Sequence, residues 1–316
     1  MVTMREVAAR AGVSSATVSR VLNGTPVRAE TEKRVRNAVA ELSYSPNRTA
    51  RALRRRHADV IALLVPDIEN PYFTALARGV EDRASRGDFS VLLANTDGDE
   101  SRERDYLDIA IAQDVAGIVW APASQTSDIA DILVHGRPVV AVDRRPRLAA
   151  VDLVEFDNRT CGRVAAEALR DRGATRVACI TGPADVESAR EREAGWRDVV
   201  GDAKSELVRH ADFRVAGGHD AMLELLELGI RPDAVMVANN LMAVGALDAL
   251  ADAGLTTADI AVSVIGDIPF ASLRKQGAFV VDLPARELGE VAADLVLARI
   301  AGDQDPPRRA ILPPGP

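Results

Sequence analysis

Arg20 closes a run of small side chains, Ser14, Ser15, Ala16, Thr17 and Ser19, in which only Val18 is bulky. An arginine can pair through two hydrogen bonds with guanine O6 and N7, and an alanine methyl suits a thymine methyl. Short side chains such as Ser15 and Ala16 let a backbone come close to base edges. Thr3, Ser14, Thr17, Ser19 and Asn23 could donate to phosphate oxygens, which fixes position on a duplex without reading its sequence. Each of these hydroxyls taken alone is better explained as a helix cap. The surrounding elements must decide.

Those elements are three short helices. Thr3 and Glu6 have the spacing of a capping box, so a helix should run through Val7, Ala8 and Ala11 and stop at Gly12. Ser14 can cap a second helix carrying Val18, Arg20, Val21 and Leu22, which ends near Asn23-Gly24. After Pro26 a third helix is expected over 29–42, with Val35, Val39 and Leu42 on its apolar stripe. Val7, Ala8, Val13, Val18, Val21, Val35 and Leu42 would then form a small core of the helix-turn-helix kind. In such a unit the second helix enters the major groove, with Ser15 and Ala16 leading and Arg20 one turn behind. The charge distribution agrees. Residues 1–56 carry 12 Arg and Lys against 4 Asp and Glu, leaving 27 against 43 for the rest of the chain. A basic head on an acidic body suits a polyanion-binding module joined to something that binds no polyanion.

The stretch Met4-Arg5-Glu6-Val7-Ala8-Ala9-Arg10-Ala11-Gly12-Val13-Ser14-Ser15-Ala16-Thr17-Val18-Ser19-Arg20-Val21-Leu22-Asn23-Gly24 closely resembles the LacI/GalR family of bacterial transcriptional regulators. Glu41-Leu42-Ser43-Tyr44-Ser45-Pro46-Asn47-Arg48-Thr49-Ala50-Arg51-Ala52-Leu53 resembles that family's hinge helix. The residues suit a hinge physically. Pro46 restricts the residue before it, Asn47 can cap, and 48–54 is too short to stay helical alone in water. Such a segment would fold only against DNA or a second copy of the chain. The resemblance implies DNA contacts from Tyr44, Asn47, Arg48 and Ala50, with Leu53 as an apolar wedge at the operator's central step. Without the resemblance, Leu53 would read as a core residue.

From residue 59 onward, apolar runs alternate with amphipathic stretches. Strands are expected at 60–65, 89–94, 117–120, 138–142, 176–181, 234–238 and 260–265. Helices are expected at 73–86, 101–113, 158–172, 188–200, 218–229 and 241–253. Buried continuous strands separated by crossover helices make parallel sheets. The expected fold class is α + α/β: a helix-turn-helix three-helix domain at 1–45, a hinge helix and linker at 46–58, and an α/β body at 59–316. By resemblance that body is a two-lobed effector domain similar to a periplasmic sugar-binding protein. Lobe one would take 59–157 and 285–302, and lobe two 158–284 and 303–316, with crossings near 157, 284 and 303.

Composition narrows the function classes. With 47% apolar and 27% charged residues, the 316-residue chain reads as globular, not disordered. It holds no apolar run long enough to span a bilayer and no signal segment in its first 20 residues, so no membrane role is expected and the chain reads as cytoplasmic. Cys161 and Cys179 lie in neither a C-x-x-C nor a His-rich setting, so neither a disulfide framework nor a metal site is expected. Phosphate-loop, dinucleotide, nucleophile-elbow and zinc-protease motifs are missing, and His57, His135, His210 and His219 are scattered. Neither catalysis nor a cofactor is expected. Open α/β sheets offer ligand clefts at their strand ends instead.

Matches to the family place cleft residues one at a time. Asn70 can hydrogen-bond, and Tyr72 or Phe73 can stack on a ring, although core packing explains Phe73 about as well. Asp143 ends a strand and can accept from hydroxyls. Ser188 and Arg192 match an S-x-x-x-R pattern before Gly195-Trp196, with Arg192 as the clamp. Asn239 is a further contact, and Asn240 stands where the family commonly has Asp. Asp267 lies in a segment two residues shorter than the family's, so its register is open. It either faces ligand hydroxyls opposite Arg192 or leaves the cleft, in which case the cleft would suit an anionic effector. The resemblance implies a DNA-binding transcriptional regulator, a repressor, acting as a homodimer on double-stranded pseudo-palindromic operator DNA. Its operator affinity would be set by a small-molecule effector, a sugar or related metabolite. A transport-type ligand-binding protein and a sugar- or nucleotide-modifying enzyme are the alternatives.

Overall fold

A computed structural model describes residues 2–22, 27–42, 59–147, 150–201, 205–269 and 272–315. The chain divides into two compact units, Met1–Ala58 and Asp59–Pro316. In the first, α1 (Met4–Ala11) starts on the Thr3–Glu6 capping box and ends at Gly12, whose φ of 63° is left-handed. The Ser14 hydroxyl accepts from Thr17 N at 3.2 Å at the head of α2 (Ser15–Leu22), and α3 spans Ala29–Glu41. Val7, Ala8, Ala11, Val18, Val21, Val35 and Ala38 are buried together, while Val13, Val39 and Leu42 pack at the edge of that core. Asn23 and the hinge positions Tyr44, Asn47, Arg48, Ala50 and Leu53 lie outside the described residues.

The second unit contains eleven described strands. Its elements, in chain order, are β1 (Val60–Val65), α4 (Pro71–Arg86), β2 (Ser90–Asn95), α5 (Glu100–Ala112), β3 (Gly117–Trp120), α6 (Ala130–Val134), β4 (Val139–Val142) and β5 (Asp152–Phe156). Then come α7 (Asn158–Asp171), β6 (Val177–Thr181), α8 (Glu187–Val200), β7 (Val208–His210), α9 (Val215–Leu226), β8 (Ala234–Val237), α10 (Asn240–Asp252) and β9 (Ala261–Ile265). The last are β10 (Phe279–Val281), α11 (Ala285–Ile300) and β11 (Arg309–Leu312). One sheet has the order β11-β5-β4-β3-β1-β2, the other β10-β9-β8-β6-β7. All pairings are parallel.

Both faces of the interior strands are covered, which is why they read as continuous apolar runs. In β1, Ile61, Leu63 and Val65 join the cluster holding Leu76 and Val80 of α4 and Leu288 and Val296 of α11, while Ala62 and Leu64 join Leu107 of α5 and Ile132 of α6. In β6, Val177 and Cys179 pack with Ala165 and Leu169 of α7, and Ala178 and Ile180 with Met222 and Leu225 of α9. Each such Leu or Ile contributes about 1.5–3 kcal/mol relative to exposure.

The structure corrects the sequence reading in several places. β5 was hidden because Asp152 and Glu155 interrupt its apolar character. All five of its residues are nevertheless buried, since Arg299 pairs with Asp152, and Arg145 and Arg309 pair with Glu155. β7 and β10 have three residues each, too few to show a period. The helix expected at 218–229 starts earlier, at Val215. The chain enters the second lobe after β5 and leaves it after β10, but it does not cross again near 303. Arg299 holds the carbonyls of Asp303, Asp305 and Pro306, and Asp152 accepts from Arg308 N at 2.7 Å. These bonds seat β11 beside β5 in the first sheet. Only beyond Leu312 does the tail reach β10's end, where Gly315 N donates to Asp282 O at 2.8 Å.

Candidate functional site

The first unit presents one face of α2. Ala16 and Arg20 are exposed and Ser15 and Ser19 half-buried, whereas Val18 and Val21 turn inward. Positions 15 and 19, and 16 and 20, are each one turn apart and share a side of the helix. Arg20 makes no ion pair among the described residues, in contrast to Arg10, which meets Glu41 at 2.6 Å. Thr3 and Ser14 serve as caps here. Thr3 N donates to Glu6 Oε2 at 2.6 Å, and this bond with that of the Thr3 hydroxyl holds the Glu6 carboxyl below its usual range. The Ser14 hydroxyl lies 3.0 Å from that of Thr17.

The second unit holds a cavity of about 300 Å³ at the carboxyl ends of both sheets. Seven of the eight cleft residues expected from the sequence line it: Asn70, Tyr72, Phe73, Asp143, Ser188, Arg192 and Asn239. Asn70 caps α4, its Oδ1 accepting from Tyr72 N at 3.0 Å. The Tyr72 hydroxyl donates to Asp143 Oδ1 at 2.7 Å. Burial first, and then the Asp143 carboxylate, push the Tyr72 hydroxyl well above its usual pKa, so it stays a donor. Asp143 follows β4 in the left-handed region at φ 65°, which Asp tolerates better than most residues. Phe73, 6% exposed, packs in the core and also reaches the cavity wall.

Arg192 is 5% exposed and has no carboxylate partner among the described residues. Its Nε donates to Asn158 Oδ1 at 2.8 Å and its Nη1 to Ala238 O at 2.7 Å, which fixes the guanidinium plane. Helices α7 and α8 must nearly touch for this to happen. A Cβ on Gly162 would sit 2.0 Å from Arg192 O, and one on Gly195 would sit 2.0 Å from Arg159 O. The glycines are what bring Asn158 within reach of Arg192. Asn239 caps α10 through Met242 N at 2.9 Å and donates to Phe213 O at 2.9 Å.

Asp267 does not line the cavity. Gly266, at φ 88°, turns the chain. The Asp267 carboxylate then accepts from Ile268 N, Leu273 N and Ser272 Oγ at 2.8, 2.9 and 2.8 Å and pairs with Arg274 at 3.1 Å. Burial would raise its pKa, but these donors together bring it below the usual carboxylate value. It shapes a turn, and only its backbone carbonyl reaches toward Asn240. The cavity is still rich in carboxylates, because Asp67, Asp97, Asp143, Asp185 and Asp212 line it with Arg144, Arg192 and Arg214.

Phe213 escaped the sequence reading because β7, which delivers it, is so short. Its ring lies against Gly182, where a Cβ would meet it at 2.1 Å, and its own φ is 65°. Arg144 was also missed. Its Nη1 donates to Pro122 O and Ala123 O at 3.1 and 3.2 Å, tying the loops after β3 and β4 together. The described residues contain no cluster of His, Cys, Asp and Glu fit to hold a metal. Burial pushes the Cys161 thiol up to about 11, so it is inert near neutral pH.

Comparison with known proteins matches residues 3–47 to the bacterial regulatory proteins of the lacI family. Residues 58–314 match the periplasmic binding proteins and sugar binding domain of the LacI family. The ribose operon repressor of Escherichia coli strain K12 is 36% identical over 308 residues, 95% of this chain and 93% of that one. A crystal structure of the Lac repressor dimer bound to operator and the anti-inducer ONPF superposes with a TM-score of 0.85 at 27% identity, covering 99% and 97% of the two chains. A complex of the transcriptional regulator CelR with cellobiose gives 0.74 at 30% identity, covering 100% and 98%.

Proposed function

The chain belongs to the LacI family of bacterial regulatory proteins, and on that premise we propose that it is a repressor which binds a pseudo-palindromic operator as a homodimer and answers to a neutral sugar held between its lobes. It is a DNA-binding regulator with an effector domain, not an enzyme; its relatives are transcriptional repressors. Ser15, Ala16 and Arg20 would read bases, and Thr3, Ser14, Thr17, Ser19 and Asn23 would hold phosphates. Tyr44, Asn47, Arg48, Ala50 and Leu53 would act at the hinge.

The observation that carries the sugar reading is the cavity wall. Phe73 from one lobe and Phe213 from the other offer apolar ring faces, and carboxylates and guanidiniums surround them. Five carboxylates against three cations disfavour an anion, so the anionic effector expected once Asp267 leaves the site is set aside. The volume sits at the low end for small-molecule sites, which suits a monosaccharide. With ribose operon repressors among the relatives, D-ribose is the first candidate.

The homodimer reading draws support from β2. It is an edge strand in which Leu92 and Leu93 are each 45% exposed, a surface that invites aggregation unless a second copy covers it. No helix among the described residues is long and apolar enough to cross a membrane, and operator binding would place the protein in the cytoplasm.

The test is selection of bound DNA from random oligonucleotides, then anisotropy titration of the complex with D-ribose, D-glucose, ribose 5-phosphate and hypoxanthine. A two-fold symmetric site whose affinity changes at least about tenfold with a neutral sugar is expected. Unselective DNA binding, or a response to the phosphate or purine alone, would refute the reading.

A further inference from the structure

Among the described residues, two side-chain bridges span the cleft between the lobes. Asn240 Nδ2, at the start of α10 in lobe two, donates to Asn70 Oδ1 in lobe one at 3.2 Å and to Asp267 O at 3.3 Å. Asn70 and Asn240 are 7% and 3% exposed, so little water competes for this bond. Both hydrogens of the Asn240 amide are thereby used by protein acceptors, and its Oδ1 accepts from Leu241 N at 2.8 Å. Elsewhere between the lobes, Arg145 of lobe one reaches Glu187 of α8 at 3.0 Å while its other terminal nitrogen holds Glu155 at 3.1 Å.

We propose that Asn240 is a positioning residue, a latch that holds the cleft closed by donating across it to Asn70, with Arg145–Glu187 as a second tie. Its regulatory consequence rests on the reading that lobe closure controls operator affinity. The chemistry turns on the direction of the bond. A carboxylate at position 240 would keep the acceptor for Leu241 N but would face Asn70 Oδ1 and Asp267 O with no hydrogen to offer. A carboxylate at position 70 would do the reverse. It would accept from both Asn240 Nδ2 and Tyr72 N, at a helix N-terminus that favours negative charge. The same substitution, Asn to Asp, should therefore move closure differently at the two ends of one bond. A general effect of added charge, or of a weakened cap, would not.

The experiment uses the full chain without operator or effector. Spin labels are placed at Arg104→Cys in lobe one and Glu227→Cys in lobe two, both exposed positions, while native Cys161 and Cys179 are buried and escape labelling. Labelled chains are diluted with unlabelled protein, so that distances are read within one protomer. Asn240→Asp should shift the distribution to longer separations, with the open-to-closed ratio rising about tenfold, and Asn70→Asp should not shift it to longer ones. Any other pattern overturns the latch. If circular dichroism shows that Asn240→Asp does not fold, Asn240→Ser, too short to reach Asn70, replaces it with the same expectation. Because the readout needs neither DNA nor sugar, failure of the latch and failure of the regulatory reading are separate results.

Discussion

Replacing Gly162 with alanine should damage effector binding from a position that does not line the cavity. The new Cβ would lie 2.0 Å from Arg192 O and 2.8 Å from its carbonyl carbon, where contacts under 3.0 Å essentially never occur. Helices α7 and α8 must therefore separate by about 1 Å at the crossing. Asn158 sits one turn before Gly162, so the same displacement stretches the 2.8 Å bond from Arg192 Nε to nearly 3.8 Å, beyond hydrogen-bonding range. Two terms oppose each other in stability. Overpacking costs about 1–3 kcal/mol, and helix propensity returns roughly 1 kcal/mol to alanine. A backbone oxygen cannot rotate aside, which places the clash at the upper end and the net loss near about 2 kcal/mol. Binding should lose the charge-assisted bond from Arg192, about 1.5–3 kcal/mol, or roughly 10- to 150-fold in Kd. Urea unfolding measures the first figure. Calorimetry with the sugar that shifts operator affinity measures the second. Gly229→Ala is the control, since nothing lies within 4 Å of its Cβ position. A Gly162→Ala protein that binds the sugar as tightly as wild type would refute the claim that this helix contact aims Arg192.

Four further outcomes follow from particular residues. Arg20→Ala should cost about 1–3 kcal/mol of operator binding and relax preference at one base per half-site; equal loss on random DNA would show a phosphate contact only. Leu53→Ala should weaken operator binding and reduce the DNA bend while leaving sugar affinity of the full chain unchanged, and an unaltered bend would rule out the wedge. Asp267→Asn should leave sugar affinity within about twofold, because its carboxylate serves the 268–274 turn, and a larger loss would return Asp267 to the site. For Asp152, burial acts to raise the pKa, but the Arg299 fork, Arg308 N and both cations bring it below the usual value. Its contribution is therefore complete above the unfolded value of about 3.9 and is lost as pH falls through the lowered folded one. Asp152→Asn should cost about 3 kcal/mol at neutral pH and flatten the acid limb of the stability curve; an unchanged acid limb would show that this pair does not drive it.

What could be read in the sequence was what is encoded locally. The capping box, Gly12 and the Ser14 cap each specify a helix end within four residues, and the helix-turn-helix unit follows them closely. Interior strands were legible because both faces are apolar. β5 was not, because its burial depends on arginines as distant as Arg299 and Arg309, which no window around residue 152 contains. Cleft residues at the ends of long strands were found through the family resemblance, whereas Phe213 was lost with its three-residue strand. Asp267 shows the opposite failure. Its residue type fits a sugar site, but the left-handed turn at Gly266 aims it at Ser272 and Leu273. Residue type proposes a ligand contact, and backbone direction decides it.

Control of DNA affinity requires that the effector prefer one lobe arrangement, and the cleft divides the contacts in a way that sets the size of that preference. Asn70, Tyr72, Phe73 and Asp143 come from lobe one, and Ser188, Arg192, Phe213 and Asn239 from lobe two. A ligand held by lobe one alone binds open and closed forms equally, and equal affinity shifts nothing. Only contacts completed on closure count. On the proposed reading, Arg192 would contribute about 1.5–3 kcal/mol and the Ser188 and Asn239 side chains about 1 kcal/mol each, with Phe213 adding burial of a ring face. That total approaches the roughly 5.5 kcal/mol needed to carry a two-state equilibrium from 1:99 to 99:1. For a sugar seated first on lobe one, lobe two would on that reading supply the switching energy and Arg192 its largest part. Arg192 is held by Asn158, the second residue after β5 ends and the chain crosses between lobes. On this reading a ligand that seats Arg192 would also steady, through Asn158, the crossing between the lobes.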